Sequence, residues 1–324
     1  MGRIALSINA NAQTGRTEGF CVIRNIEIKK SSAGNPYLNM ALGDNAGEIN
    51  AKLWDYKPEQ HGTYRTGDII KVRGRITQWQ GSEQLTVDQI RKATPEDNVP
   101  MEDLVPSAPE NTNEMYERLF SLAQSFKDED LKLLTCHLLS THKLLILCYP
   151  AALKLHHAQR GGLLFHTCTL TELAVRVCEV YPALDRDLLL CGAILHDIAK
   201  TKELEIAQSG LASGYSAAGQ LLGHLVMGAQ WVAEACKELG IDEEKSMLVQ
   251  HMLISHHGEP EYGAAKLPMF PEAEALSEID MLDARLFNMF NELADVPVGD
   301  FTQPVWSLDR RRLYNHGRIK VEEE

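Results

Sequence analysis

Leu195-His196-Asp197-Ile198-Ala199-Lys200 sets a histidine beside an aspartate at the end of an apolar helical run, with a lysine three residues on. No small zinc finger can be assembled around it. The other residues suited to the same chemistry, His166, His224, His256, His257 and Asp280, each stand a helix or two away along the chain. Side chains so widely spaced meet only when several helices face one another and project inward, as in metal sites built inside helical bundles. The stretch therefore predicts an all-α domain folded round a polar centre.

The surrounding periodicity agrees. A helix starting near Gly162 places His166, Leu170, Ala174 and Val177 on one face, so His166 points where the core points. Asp185 caps the next helix, which runs through Leu188, Leu189, Ile194 and Leu195 into His196 and Asp197. After a glycine-containing loop at 209–214, one helix is expected over 217–239 with His224 near its start. Another runs from Asp242 to His256-His257, with Gly258 as its C-terminal cap. The last, from Glu272, sets Leu276, Asp280, Asp283 and Phe287 on one side. Ahead of these, Met115, Leu119, Leu122 and Phe126 stripe a helix with its N-cap at Thr112, and 131–149 is an almost wholly apolar helix ending before Pro150.

Ten of the twelve histidines fall between positions 137 and 257. His137, His142, His156, His157 and His251 lack a carboxylate partner in this pattern and read as structural or surface residues. The ordered set is different. Placing His166, His196, Asp197, His224, His256, His257 and Asp280 on core-facing stripes and helix ends is costly unless they are hydrogen-bonded or bound to metal. Mixed imidazole and carboxylate ligation suits Mn²⁺, Fe²⁺, Co²⁺, Ni²⁺ or Zn²⁺, and the lack of thiolates argues against a structural zinc. Seven ligands exceed what one ion usually takes, so two divalent ions bridged by Asp197 and a water are expected.

Residues 14–93 have another texture. Short runs of apolar and polar alternation, such as Ile49/Ala51/Leu53 and Ile70/Val72/Gly74/Ile76, are separated by turns at Ala33-Gly34-Asn35-Pro36 and Asp44-Asn45-Ala46-Gly47. Five such strands predict an N-terminal five-stranded OB-fold β-barrel. Barrels of this kind hold nucleic acid on basic grooves and aromatic platforms. Lys29, Lys30, Lys52, Lys71, Arg73 and Arg75 supply charge, and Tyr37, Trp54, Tyr56 and Trp79 supply rings. Of these, Lys52, Trp54, Tyr56, Arg73 and Arg75 are the expected contacts, although any single aromatic at strand spacing is more often core.

Charge supports this division. The chain carries 32 Lys and Arg against 45 Asp and Glu, a net of −13. Residues 1–94 hold 13 of the basic and 9 of the acidic residues, a net of +4, which leaves −17 for the rest. The expected layout is a multidomain α and β chain. It comprises the barrel at 1–94, an acidic proline-rich linker or strap at 95–111, the helical domain at 112–300 and a C-terminal tail at 301–324. Seven cysteines without a CxxC pair read as reduced core residues of a cytoplasmic protein. Met1 to Ile8 does not read as a signal peptide, and no apolar run is long enough for a membrane span.

The H…HD…D order of His166, His196-Asp197 and Asp280 resembles that of the HD-domain phosphohydrolase superfamily, whose binuclear branch adds histidines matched by His224 and His256-His257. With an OB-fold in front, the chain resembles the YhaM-type 3′-to-5′ exoribonucleases. Further strings carry the likeness: Ala51-Lys52-Leu53-Trp54-Asp55, Gly161-Gly162-Leu163-Leu164, Ser255-His256-His257-Gly258, Asp280-Met281-Leu282-Asp283-Ala284-Arg285 and Val305-Trp306-Ser307-Leu308-Asp309-Arg310-Arg311. Phe165 departs from members with an acidic residue before the first histidine, which bears on a third metal but not on the pair. No Gly-Tyr-Pro follows His257, so the cyclic-dinucleotide signature is absent.

The resemblance implies hydrolysis of single-stranded RNA, and of single-stranded DNA as a further substrate, to nucleoside monophosphates. His166, His196, Asp197 and Asp280 would hold one ion, and Asp197, His224, His256 and His257 the other, with Mn²⁺ as the first choice. Asp197 and Lys200 would be catalytic, Lys200 facing the transferred phosphoryl group, and Asp283, one turn from Asp280, would either support the ligands from behind or be a helix-surface carboxylate. A homo-oligomer is a further expectation, with Trp306 and Arg310-Arg311-Arg312 closing the pocket, reaching a neighbour or lying solvated. Two alternatives remain open: a nucleotide or cyclic-nucleotide phosphohydrolase with a regulatory barrel, and a non-catalytic single-strand-binding protein.

Overall fold

The computed structural model describes residues 16–45, 47–79, 82–153 and 157–319. Met1 to Ile8, His156 and the side chain of Trp79, all considered above, lie outside the described residues. The first strands are β1 (Arg16–Lys30), β2 (Pro36–Gly43) and β3 (Glu48–Leu53). A short helix α1 (Pro58–His61) leads to β4 (Ile69–Trp79) and β5 (Ser82–Lys92). They close into a barrel in the order β1-β2-β3-β5-β4, antiparallel except where β3 meets β5. The expected alternation is present: Ile49, Ala51 and Leu53 point inward on β3, and Ile70 and Val72 on β4, into a core shared with Cys21, Ile23, Met40 and Leu85.

The acidic stretch after β5 is not extended. Two single-turn helices, Pro95–Asp97 and Met101–Asp103, fold it back. Leu104 and Val105 are then buried against Val22, Ile69 and Ala93 of the barrel. Burial of those two apolar side chains outweighs the pull of the flanking carboxylates toward open solvent.

The helical half contains α2 (Thr112–Gln124), α3 (Glu129–Ile146), α4 (Gly162–Val180), α5 (Arg186–Leu195) and α6 (Lys200–Glu203). Strands β6 (Leu204–Ile206) and β7 (Ala212–Tyr215) follow, then α7 (Ala217–Leu221), α8 (Gly223–Leu239), α9 (Glu243–Ser255) and α10 (Pro271–Leu293). Their inward stripes merge into one core that includes Leu119, Leu134, Leu170, Leu189, Leu195, Val232, Leu253 and Leu276. Three local expectations are corrected. The cap of α2 is Asn111, whose Oδ1 accepts from Asn113 N–H and Glu114 N–H at 2.9 and 3.3 Å, so Thr112 already belongs to the first turn. The loop at 209–214 includes part of an antiparallel hairpin, β6 with β7, so the domain is not purely α. The single helix expected over 217–239 is broken ahead of Gly223, which adopts φ +71 and restarts it as α8.

That hairpin docks the bundle on the barrel. In the turn between β6 and β7, Gln208 Oε1 accepts from Ile69 N–H at 3.3 Å while its Nε2 donates to Ala93 O at 3.1 Å. Ser209 N–H donates to Gly67 O at 3.2 Å. Gly67 has φ +85, and a Cβ there would lie 2.2 Å from Ala207 Cβ, so only glycine allows this approach. Among the described residues no helix is long and apolar enough to cross a membrane. All seven cysteines are free.

Candidate metal centre

Helices α4, α5, α8, α9 and α10 each bring one or two polar residues to the same buried point. His166 is in the second turn of α4, His196 caps the C-terminus of α5 and Asp197 follows in the turn before α6. His224 lies in the first turn of α8, His256 caps α9 with His257 next, and Asp280 is midway along α10. His166, His196, Asp197 and His256 are at most 2% exposed.

Asp197 stands between two groups of imidazoles. Its Oδ2 lies 3.3 Å from His196 Nε2 and 3.7 Å from His166 Nε2, with Asp280 Oδ1 a further 3.2 Å from His166 Nε2. Its Oδ1 faces the other way, 3.3 Å from His224 Nε2 and 3.6 Å from His256 Nε2. The sets His166/His196/Asp197, His196/His256/Asp280 and His224/His256/His257 each hold their ligand atoms within 4.8 Å of one another.

The imidazoles are oriented from behind. His196 Nδ1 and His256 Nδ1 each donate, at 2.9 Å, to the carbonyl three residues earlier, Ala193 O and Leu253 O. A carbonyl only accepts, so the hydrogen is on Nδ1 and the Nε2 lone pair faces the centre. His224 Nδ1 meets both oxygens of Glu203 at 3.0 Å, and Glu203 Oε1 also accepts the His224 N–H at 3.1 Å. His166 Nδ1 lies 2.7 Å from Asp283 Oδ2, and the same oxygen meets His157 Nε2 at 2.9 Å. Carboxylates behind histidines in this way are the usual support of metal-bound imidazoles.

Charge follows from burial. Burial pushes the pKa of His256 well down, helped by the neighbouring His257 and His196, and His257 is pushed down in the same way. Both are neutral and able to ligate. Burial opposes the charged forms of Asp197 and Asp280 too. Lys200 and His196 nevertheless hold Asp197 well below the usual carboxylate range, and His166 does so for Asp280. His166 itself is disfavoured as a cation by burial, yet its hydrogen bonds to Asp280 and Asp283 push its pKa up to about 9. Lys200 Nζ is 2.6 Å from Asp197 Oδ2, and this carboxylate keeps the buried ammonium charged.

Whether divalent cations suit these residues can be tested on the polar atoms themselves. Asp197 Oδ1, His224 Nε2 and His256 Nε2 are buried and make no hydrogen bond. Groups in that state cost about 1–3 kcal/mol each. They face one another, and a cation between them is the partner their chemistry fits.

On the barrel, Tyr37 and Trp54 pack with centroids 4.6 Å apart, and Lys52 Nζ lies 5.7 and 5.3 Å from the two rings. Trp54 is 42% exposed, so the pair offers an open stacking face. Arg75 and Lys52 both stand opposite Thr86 of β5, which places them in one row. Arg75 pairs with Asp88 at 3.7 Å, whereas Arg73 lies beside Glu18 at 4.0 Å. Tyr56 corrects an expectation: it is 4% exposed in the barrel core, and its hydroxyl donates to Gly62 O at 2.8 Å. No base can reach its ring.

Comparison with known proteins agrees with both halves. Residues 22–93 match the OB-fold nucleic acid binding domain family and residues 163–285 the HD domain family. The protein named 3′-5′ exoribonuclease YhaM from Bacillus licheniformis is 40% identical over 284 residues, covering 88% of this chain and 90% of that one. Its namesake from Bacillus subtilis is 38% identical over the same shares. The chain belongs to the YhaM 3′-5′ exoribonuclease family. A single-stranded DNA binding protein from Thermus aquaticus matches 25% of the chain and 40% of its own at 16% identity and a TM-score of 0.23.

For this YhaM-family chain, sequence reasoning named every residue at the centre but missed two behind it. Glu203 was passed over because it sits on a four-residue helix with no periodic stripe. The sequence pattern leaves His157 as structural or surface, with no carboxylate partner. It is in fact 1% exposed and bound to Asp283, and its ring packs 3.9 Å from Phe287. One signal was available: a Cβ on Gly162 would lie 2.0 Å from His157 O, so Gly161-Gly162 does more than start α4. It lets the preceding loop press His157 into the core.

Proposed function

We propose that the chain is a metal-dependent 3′-to-5′ exoribonuclease, hydrolysing single-stranded RNA, and single-stranded DNA by the same chemistry, to nucleoside monophosphates. The observation that carries this is the facing set of Asp197 Oδ1, His224 Nε2 and His256 Nε2, buried without hydrogen bonds in a YhaM-family chain. One cation would be held by His166, His196, Asp197 and Asp280, the other by Asp197, His224, His256 and His257. Mn²⁺, Co²⁺, Fe²⁺, Ni²⁺ and Zn²⁺ all accept mixed imidazole and carboxylate ligands, and Mn²⁺ is the first choice on the family resemblance. Divalent cations in such a site supply Lewis acidity at phosphate oxygens and lower the pKa of the attacking water.

The chain's own groups do the rest. Glu203 and Asp283 keep the imidazoles of His224 and His166 aligned. Lys200 offers a buried positive charge where charge develops on the phosphoryl oxygens. The water oxygen bonds to phosphorus, the bond to the 3′ oxygen breaks, and the shortened strand leaves with a free 3′ hydroxyl. The Tyr37/Trp54/Lys52 face would grip the strand upstream by stacking and charge. The reading also takes the chain as a cytoplasmic homo-oligomer, in keeping with seven unbridged cysteines and the exposed Leu282, Leu286 and Phe290 on α10.

The test is 5′-labelled single-stranded RNA incubated with the full chain and Mn²⁺. A ladder shortening from the 3′ end is expected, and Asp197→Ala should abolish it while RNA binding persists. Undiminished degradation by that variant would overturn the metal reading. Cleavage of mononucleotide esters alone would favour a nucleotide phosphohydrolase.

A further inference from the structure

Beyond α10 the chain turns back on itself, and neither the barrel nor the metal centre uses what it builds. Phe301 bridges Tyr314 and Val305 bridges Arg311, with the ring centroids of Phe301 and Tyr314 5.0 Å apart. Thr302 N–H donates to Leu313 O and Leu313 N–H to Thr302 Oγ1, both at 2.9 Å. Asn315 Nδ2 donates to Val296 O at 2.6 Å, which ties the hairpin to the end of α10. Thr302, Val305 and Leu308 are buried within it. This is a built element, and the expectation of a mere tail is corrected.

Its outer surface has a particular chemistry. Trp306 is 81% exposed, and the Arg310 guanidinium lies 5.4 Å from its ring. Arg312 lies 5.4 Å from the half-exposed Phe301. Between 299 and 319, the span the hairpin pairs, there are four arginines, Arg310, Arg311, Arg312 and Arg318, against two acids, Asp300 and Asp309. Asp309 pairs with Arg311 at 3.7 Å; among the described residues neither Arg310 nor Arg312 has a carboxylate partner. A hairpin of net +2, four arginines less two aspartates, thus stands in a region whose total from residue 95 onward is −17.

We infer that this hairpin is a second binding surface for single-stranded RNA, gripping the strand through Trp306, Phe301 and the guanidinium groups of Arg310 and Arg312. The inference rests on the exoribonuclease reading for its ligand. Its chemistry repeats the barrel platform, where two rings and one cation also meet. Bases stack on such rings regardless of sequence, and arginines neutralise the phosphates between them. The same hairpin of a second copy is disfavoured as the occupant, because a two-fold contact centred on it would bring the positive patch against itself. From Asp280 to the end of α10 is on the order of 20 Å along the helix. Asn315 fastens the base of the hairpin to Val296, just past that end.

The experiment uses the full chain, Trp306→Ala and the Arg310→Ala/Arg312→Ala pair, with circular dichroism to establish folding. Fluorescence anisotropy with 5′-labelled oligouridylate in EDTA should show Trp306→Ala binding about five- to a hundredfold more weakly. The arginine pair should flatten the slope of log K against log salt by about 1.4, roughly 0.7 per lost charge. Cleavage of a dinucleotide with Mn²⁺, too short to span both places, should match the unsubstituted chain. Unchanged affinity and slope would overturn the inference and leave the exoribonuclease reading intact. If the unsubstituted chain cleaves no RNA, that reading fails first. A drop in mass by light scattering in either variant would make the hairpin a contact between copies and overturn its role on RNA.

Discussion

Asp283 Oδ2 receives two imidazoles, His166 Nδ1 at 2.7 Å and His157 Nε2 at 2.9 Å. Each occupies a lone pair, so the oxygen is fixed in place and fixes His166 in turn. His157→Phe keeps a ring against Phe287 while removing the donor. We expect Mn²⁺ affinity, measured by calorimetry, to fall about tenfold or more, as for other groups supporting metal-bound histidines. Unchanged affinity would reduce His157 to packing. The pKa of about 9 at His166 sets a second expectation. Below that pH the metal-free chain holds a proton that a ligating Nε2 must lose, so Mn²⁺ uptake should release about one proton at pH 7. Apparent affinity should climb with pH and level off above 9. Calorimetry in two buffers of different ionisation enthalpy counts that proton. Since this pKa lies above the unfolded value, the stability it lends the metal-free chain is complete below about pH 6.5 and is lost as pH rises through 9.

Among elements, the helices that carry the ligands were legible because each places histidine or aspartate on an apolar stripe or at a cap, where polarity stands out. What was not legible has a local cause. The β6–β7 hairpin pairs three residues with four, too few for a period of two to register. The break between α7 and α8 depends on a positive φ at Gly223 inside an otherwise helical pattern. Tyr56 and Trp54 are two apart beside β3, and sequence cannot tell the ring that turns inward from the one that stays out. This contrast is testable on the barrel. Trp54→Ala should weaken binding of single-stranded RNA by about 1–3 kcal/mol. Tyr56→Phe should leave binding unchanged and cost only the hydrogen bond to Gly62 O, about 1 kcal/mol of stability. Equal losses of binding would mean that the barrel offers another face.

At the scale of the whole molecule, residues 1–94, which include the barrel, carry a net +4 and precede a region of net −17. The basic excess of the first third and the buried polar centre are thus kept apart in the chain. Barrel and bundle are joined by the contact of Gln208, Ser209 and Ala207 with Gly67, Ile69 and Ala93, and by Leu211 packed against Val22, Ile69 and Ala93. Gly67→Val would drive a branched side chain into Ala207 and force a φ of +85 on a β-branched residue. Thermal unfolding should then separate into two transitions, barrel and bundle, where the unsubstituted chain shows one. Degradation of long RNA should fall more than cleavage of a dinucleotide.

Gln208 touches the barrel only through main-chain groups, the N–H of residue 69 and the carbonyl of residue 93. Every OB barrel offers an N–H and a carbonyl of this kind, whatever its side chains. Drift in the outer surface of the barrel can therefore proceed with two main conditions, a missing Cβ at position 67 and the apolar seat that Val22, Ile69 and Ala93 give Leu211. A lineage could refit the barrel for a different class of strand, and the new grip would inherit its aim at the cutting centre without a single change in the bundle.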